Sequence, residues 1–407
     1  MRSKTFLYFM ALFGLVFLFA CGPKAVAPEA QMDTPEHHVT NGNKFLKADD
    51  LSPSSAAFTA LFRPSHQTTN LDKAFAAFTR ATRLDPKYAP AHVGLGLVHG
   101  KQGAFDKAFD AMKQAARFSE TDAQHAETSV GYIRLYTMGG PAVEENWLNK
   151  AGNHFERAHK LAPRDPAPYF YMGMAYRNAY RFSDAAGMFK AVLDLDKDFV
   201  EAADREYAVM QRIERAMPGT SVGKKIALLE AITRADVAAL FIEELKVDEL
   251  FEKKTPKTFD TAFKAPGSTF KTGEYVKAPA VTDIDNHVLR QDIEAVVRLQ
   301  IKGLQPGPDH AFEPDKYITR AEFAMMIEDI LIKITGDNAL ATRFIGTESP
   351  FPDLRSDLAF FNAAMVCVTR NIMETVDTAT GEFRPQGMVS GADALLSIRQ
   401  MKVQLNK

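Results

Sequence analysis

Apolar residues recur along the first half of the chain with helical spacing and, at longer range, with a fixed period. Ala74, Phe78, Ala81 and Leu84 mark one stripe of a helix, and the same four positions return 34 residues later as Ala108, Met112, Ala115 and Phe118. The stripe reappears as Ala151, Phe155, Ala158 and Leu161, and 34 residues beyond that as Ala185, Phe189, Val192 and Leu195. Intervals of three and four keep such residues on one helical face. A period in this range predicts stacked helical hairpins, none of which can bury its apolar face alone. Pro86 and Pro163 follow the first and third stripes and stop those helices. The preceding helices carry small residues for close crossing, Gly96 after Leu95 and Gly173 after Met172, with Tyr169 and Tyr176 on the same face. An insertion around Gly139-Gly140-Pro141 divides the third unit, whose first helix is expected at about 123–138. The pattern gives three regular units and a partial one at 54–85.

The second half carries a different recurrence. Ile318-Thr319-Arg320-Ala321-Glu322-Phe323-Ala324 opens one predicted helix, and Val389-Ser390-Gly391-Ala392-Asp393 opens another 71 residues on. Each is preceded by a Phe-x-Pro step, Phe312-Glu313-Pro314 and Phe383-Arg384-Pro385. A worn third version, Ile232-Thr233-Arg234-Ala235-Asp236-Val237-Ala238, leads a helix expected to reach about Phe251. Its own first helix would fall near 200–216, where the 34-residue array ends. Between the first and second versions, Lys253 to Ala280 is rich in Lys, Thr, Pro and Gly and reads as a long loop, a length uncommon in compact domains.

These residues carry two resemblances. The 34-residue units resemble the tetratricopeptide repeat, in which a small residue sits where two helices touch and a large one fills the neighbouring groove. The 281–335 and 350–403 segments, with a degenerate copy at about 200–252, resemble the S-layer homology domain. That family commonly packs three copies into one pseudo-threefold body. The expected fold is therefore mostly α: a tetratricopeptide-type helical solenoid over 54–217, followed by a helical S-layer homology body over 218–407.

The recurring motif has an internal physical reading. Thr319 with Glu322, Thr233 with Asp236 and Ser390 with Asp393 share the spacing of a capping box, hydroxyl to the backbone N–H three residues on and acid back to the cap. An Asp reaches back less far than a Glu, so two of the three boxes are expected to be weaker. Arg320 and Arg234 stand in the first helical turn, where a cation opposes the helix dipole. A guanidinium beside free N–H groups makes a pocket for a carboxylate. In the S-layer homology family the matching arginine contributes to grooves that hold acidic wall glycans, so the resemblance makes Arg320 and Arg234 the candidate polymer ligands. The alternative is an arginine bridging to an acid of a neighbouring copy. Gly391 replaces the arginine in the last copy, and Val288 stands where the family has an aromatic residue.

The N-terminus sets the expected compartment. Arg2 and Lys4 precede an apolar run from Phe6 to Ala20, too short for a comfortable span and typical of a secretory signal. Leu18-Phe19-Ala20-Cys21 resembles the lipobox of bacterial lipoproteins, which makes Cys21 the lipidation site, although a plain signal peptide cleaved elsewhere or an uncleaved anchor fits the same run. Gly22 after the cysteine points, by resemblance to Gram-negative sorting, to the outer membrane facing the periplasm. Residues 22–53 are rich in Pro, Ala, Asp and Asn without apolar periodicity and read as a flexible tether of roughly 30 Å root-mean-square span.

Composition narrows the chemistry. A net charge of −2 over 407 residues argues against a nucleic-acid-coating protein. Two cysteines, Cys21 and Cys367, exclude a disulfide framework. Cys367 lies in an apolar stretch and reads as a core thiol. The adjacent His37 and His38 fall in the expected tether and read as solvated residues rather than metal ligands. No phosphate loop, dinucleotide fingerprint or metalloprotease spacing occurs, so no enzyme activity, cofactor or metal is expected. The expected function is a lipid-anchored envelope protein with three partners: a membrane through Cys21, an unidentified protein through the repeat array, and cell-wall glycan or peptidoglycan through the C-terminal copies. The alternative is an adaptor or assembly factor for an outer-membrane or secretion complex, its C-terminal body purely structural.

Overall fold

The computed structural model describes residues 33–50, 69–254 and 281–405. Among them there are helices, turns and two isolated bridges but no extended strand. The chain forms two compact units, divided between Tyr207 and Ala208.

The first unit is a stack of helical hairpins. Its helices are α1 (Pro35–Asp50), α2 (Asn70–Leu84), α3 (Ala89–Lys101), α4 (Phe105–Phe118), α5 (Asp122–Gly139), α6 (Trp147–Leu161), α7 (Pro166–Asn178) and α8 (Phe182–Leu195). They pair in order, α1 with α2 through α7 with α8. The first helices of successive pairs also touch, α1 with α3, α3 with α5 and α5 with α7. This is a tetratricopeptide-like solenoid. The helix starts are written locally: Thr69 and Asp72 close a capping box on α2, Thr121 and Gln124 close one on α5, and Asp165 caps α7 ahead of Pro166. The insertion at Gly139-Gly140-Pro141 forms a single tight 3-10 turn, Gly140–Ala142, so the third hairpin stays paired.

The period of 34 has a steric cause. Phe78 of α2 is fully buried, and its ring lies where β-carbons on Gly42 of α1 and Gly94 of α3 would come within 2.6 and 2.2 Å. Met112, one period later, occupies the same role against Gly96 and Gly131, at 2.9 and 2.7 Å from their virtual β-carbons. Phe189 does so against Gly173, at 2.7 Å. In three of the four hairpins one large side chain is thus clasped by small residues, at the density of a folded core.

Helix α1 corrects the reading of residues 22–53 as a tether. Residues 35–50 are the first half of the first hairpin, while 22–32 and 51–53 lie outside the described residues, as do Cys21 and residues 255–280 of the expected 253–280 loop. Val39 and Leu46 are buried against α2 and α3 at helical spacing, with Phe45 packed beside them. The stripe was inconspicuous because Gly42 supplies its middle. Polar groups anchor the rest. Asp33, buried, accepts from His38 Nε2 at 2.7 Å and from Arg80 of α2 at 2.5 Å, and His37 Nε2 lies 2.9 Å from Asn41 Nδ2. The histidine pair read as solvated is part of this packing.

The division between units falls inside α9 (Val200–Ala216), whose later half buries Met210, Ile213 and Ala216. The second unit continues with α10 (Ser221–Ile226), α11 (Arg234–Ala239), α12 (Val247–Lys254), α13 (Arg290–Arg298), α14 (Arg320–Thr335), α15 (Phe361–Thr369) and α16 (Gly391–Leu405). The helix expected from Thr233 to Phe251 is broken. After α11 it passes through a π-helical turn, Leu240–Glu244, and reverses at Lys246, a non-glycine residue with φ +58.

Three backbone segments meet at the centre of this unit. Ile318 N donates to Ile232 O at 3.0 Å, Val389 N to Ile318 O at 3.2 Å, and Ile232 N to Val389 O at 2.9 Å. The three bonds close on themselves, and their side chains are buried. A second sign of repetition is conformational. Left-handed residues recur 71 positions apart, Gln300 with Asn371, His310 with Gly381, and Glu313 with Arg384. The segments leading to α14 and α16 therefore follow the same path.

Truncating Leu46, which is 2% exposed, should cost roughly 2–5 kcal/mol. Chemical denaturation of Leu46→Ala reads this directly; a change within about 0.5 kcal/mol would mean that α1 is not docked.

Candidate functional site

Each motif residue of the second unit sits at a junction between copies. Helix α11 begins against the loop before α14, with Arg234 N donating to Lys316 O at 2.9 Å and Ala235 N to Pro314 O at 3.0 Å. Helix α14 begins against the loop before α16 in the same way, Arg320 N to Gly387 O at 2.8 Å and Ala321 N to Pro385 O at 3.0 Å. Helix α16 closes the circuit, with Gly391 N donating to Leu229 O at 2.9 Å.

The caps work within their own helices. Thr319 Oγ1 accepts from Glu322 N at 3.3 Å while Glu322 Oε2 accepts from Thr319 N at 2.8 Å. Thr233 and Asp236 make the same pair at 3.3 and 2.9 Å, so the shorter Asp closes its box as tightly as the Glu. Ser390 Oγ accepts from Asp393 N at 3.1 Å, and Asp393 also pairs with Arg212 of α9 at 3.2 Å.

The arginines are spent inside the protein. Arg320 is 7% exposed; its Nε donates to Phe383 O at 2.7 Å, its Nη2 to Glu374 O at 2.6 Å, and its guanidinium lies over the Phe383 ring at 4.9 Å. Arg234 repeats the arrangement one junction earlier. Its Nε donates to Phe312 O at 2.7 Å, its Nη1 to Gly303 O at 2.5 Å and its Nη2 to Gln305 O at 3.1 Å, with the Phe312 ring at 4.7 Å. Burial pulls both guanidinium groups below their ordinary range. This corrects the reading of Arg320 and Arg234 as groove cations offered to a polymer. They do bridge neighbouring copies, but to carbonyl oxygens rather than to acids. Arg320, buried and held by two carbonyls and an aromatic face, is satisfied without a ligand, whereas Arg234 is only partly buried.

Two aspartates that the motif reading gave no role complete each lock. Asp283 accepts from Phe312 N at 2.8 Å and Glu313 N at 2.7 Å, and Asp353 accepts from Phe383 N at 2.9 Å and Arg384 N at 2.6 Å. Each holds the left-handed residue that turns the loop under its arginine. Their sequence signal was an Asp about thirty residues before each Phe-x-Pro step. Gly391, by contrast, is required where it stands: a β-carbon there would lie 1.7 Å from Ile226 O. The backbone of the first copy fills the space that an arginine occupies at the other two junctions. Val288 is 97% exposed and offers no aromatic surface. Cys367 is fully buried, and burial raises its thiol far above the ordinary range, which removes thiolate chemistry at neutral pH.

On the repeat array, aromatic side chains pack within and between hairpins. Tyr132 of α5 stacks on His154 of α6 at 4.4 Å, Phe109 of α4 meets Tyr136 at 5.2 Å, and Arg134 lies over Tyr171 of α7 at 4.5 Å. Tyr169 shares a hydrogen bond of 2.9 Å with His159, while Tyr176 packs with Tyr136 and Trp147 around the core of the third and fourth hairpins. Half-buried aromatics of this kind bring contact area at low entropic cost. Among the described residues no three His, Cys, Asp or Glu side chains converge as metal ligands, and no helix is long and apolar enough to cross a membrane.

No family model matches the chain. It is similar to the anaphase-promoting complex subunit CDC16 of Saccharomyces cerevisiae, 27% identical over 121 residues, covering 30% of this chain and 13% of that protein. It is also similar to superkiller protein 3 of Schizosaccharomyces pombe, 28% identical over 160 residues, covering 31% of this chain and 12% of that protein. Both contain tetratricopeptide repeats. The chain spans about an eighth of the length of these relatives.

Two predictions follow the geometry. Arg320→Ala leaves Phe383 O and Glu374 O without their buried donor and should cost about 3 kcal/mol in urea unfolding, with little rescue by Arg320→Lys, whose ammonium cannot span both carbonyls. In the first unit, burial holds the His154 imidazole down to about 4, with Arg157 and Lys150 adding to the effect. The folded chain then binds this proton less readily than the unfolded one. Its contribution is complete above pH ~6.5 and is lost as pH falls toward 4, about 3 kcal/mol at most and less after solvent screening of the partly exposed ring. Melting followed from pH 7 to 4.5 should show that slope, and His154→Phe should flatten it.

Proposed function

We propose that the protein is a non-catalytic, lipid-anchored scaffold of a bacterial cell envelope, whose repeat array binds a protein partner and whose three-copy body attaches to wall polymer. The observation that carries the scaffold reading is the regular clasp of Phe78, Met112 and Phe189 by neighbouring glycines, which stacks the hairpins into an extended surface of the kind used for protein recognition. The similarity to two repeat-containing proteins supports the same reading. The S-layer homology reading of the second unit is supported by the closed ring of Ile232, Ile318 and Val389 and by the recurrence of left-handed residues at 71 positions. Envelope placement rests on the apolar run ending at Cys21 and the lipobox it resembles.

One observation favours a second reading, in which the body is a structural brace and the protein an adaptor in a membrane-associated complex. Arg234 and Arg320, the residues that would hold an acidic glycan, are bonded to carbonyls of the protein itself. Retention of the full-length protein on purified sacculi supports wall attachment. A protein that stays in solution, yet forms a protein adduct from a photo-crosslinker at Asn178 in cells, supports the adaptor.

The anchor has its own test. Feeding cells an alkyne fatty acid should label the wild-type protein and leave Cys21→Ala unlabelled and released from membranes. An unmodified Cys21 in a cytosolic fraction overturns the envelope assignment.

A further inference from the structure

The second unit contains a cleft of about 430 Å³ that none of its motifs explains. It lies where the start of α10, the π-helical turn after α11 and the end of α16 come together, away from the two arginine locks. Glu244 forms its floor. That carboxylate is 3% exposed and is held by Thr220 N at 2.8 Å, Thr220 Oγ1 at 2.9 Å and Gly219 N at 3.2 Å. It lies so close to α10 that a β-carbon on Gly223 would fall 2.1 Å from Oε1. The floor is therefore rigid and its charge is already engaged.

The rim carries both signs of charge. Lys402 Nζ stands 3.7 Å from Glu244 Oε2 with its side chain 43% exposed, and Lys246 reaches the same cleft from its left-handed position after the π turn. Glu243 and Glu249 line it as well, and Leu250 and Leu405 supply apolar wall. A purely anionic ligand would meet the two glutamates, and a purely cationic one the two lysines. A group bearing an ammonium and a carboxylate on the same carbon meets both, with a short apolar stem against the leucines.

We propose that this cleft binds a zwitterionic amino-acid head group, its carboxylate toward Lys402 and Lys246 and its ammonium toward Glu243 and Glu249. That chemistry belongs to free α-amino acids and to the diamino-acid side branch of peptidoglycan stem peptides. In the second case the cleft is the polymer contact that the engaged arginines do not provide, and this part rests on the envelope reading.

Calorimetric titration of the full-length protein with free diaminopimelate, and separately with a soluble tripeptide stem ending in diaminopimelate, tests the proposal. Saturable binding is expected, at least tenfold weaker in Lys246→Met and Glu249→Gln, both at exposed positions whose melting curves should match the wild type. Tighter binding of the stem than of the free amino acid assigns the wall peptide; equal binding assigns a free amino acid. Absence of saturation by either probe up to several millimolar, or affinities unchanged in both variants, overturns the site. Retention on sacculi alongside such a negative result would leave wall attachment standing without this cleft. Zwitterion binding without retention would leave the cleft standing without the wall.

Discussion

The ring of Phe78 occupies space that β-carbons on Gly42 and Gly94 would need, and the same exclusion recurs through both units. In the repeat array it sets how closely successive hairpins stack, because Met112 and Phe189 meet Gly96, Gly131 and Gly173 in the same manner. In the second unit it joins the last copy to the first, where Gly391 admits the carbonyl of Ile226. Close packing leaves no slack for an added methyl at such contacts, since cores relax only partly around a change of volume. Helix spacing and the closure of the three-copy ring are both consequences of where the chain lacks a side chain.

What the sequence revealed and what it hid follow from this. The large member of each clasp is an apolar residue at fixed spacing, so Phe78, Met112 and Phe189 announced the array, with Phe155 in the same register. The small member is invisible to a hydrophobic pattern. Helix α1 was missed because its stripe reads Val39, Gly42, Leu46, with a glycine where a bulky residue would have drawn attention, and because Pro35 and the histidine pair resemble a linker. The cap spacings of Thr233, Thr319 and Ser390 were legible because a capping box is a local bond between residues three apart. The arginine partners were not. Phe383 O and Glu374 O are 63 and 54 residues from Arg320, and nothing local in the chain specifies a long-range bond to a backbone carbonyl.

The arginines also show how an unfavourable local choice is compensated. A cation in the first turn of α11 or α14 opposes the positive end of the helix dipole, a term of about 0.3–1 kcal/mol. Each guanidinium offsets it by donating to carbonyls of the next segment and covering a phenylalanine ring, bonds worth more than the dipole term because the donor is charged and, at Arg320, buried. The loop receiving it must expose those carbonyls, and Asp283 and Asp353 supply the means by fixing the left-handed turn at Glu313 and Arg384. The motif is thus a device for joining copies.

Helix α1 changes the mechanics of the proposed anchor. Asp33 is fixed by Arg80 of α2, and eleven residues lie between it and Cys21, the proposed lipid site. A connection of that length reaches at most about 40 Å. A thirty-residue tether would let the array sample a shell around its anchor. With Cys21 lipidated as proposed, so short a connection would keep the first hairpin near the membrane surface, where a partner would be met at high effective concentration.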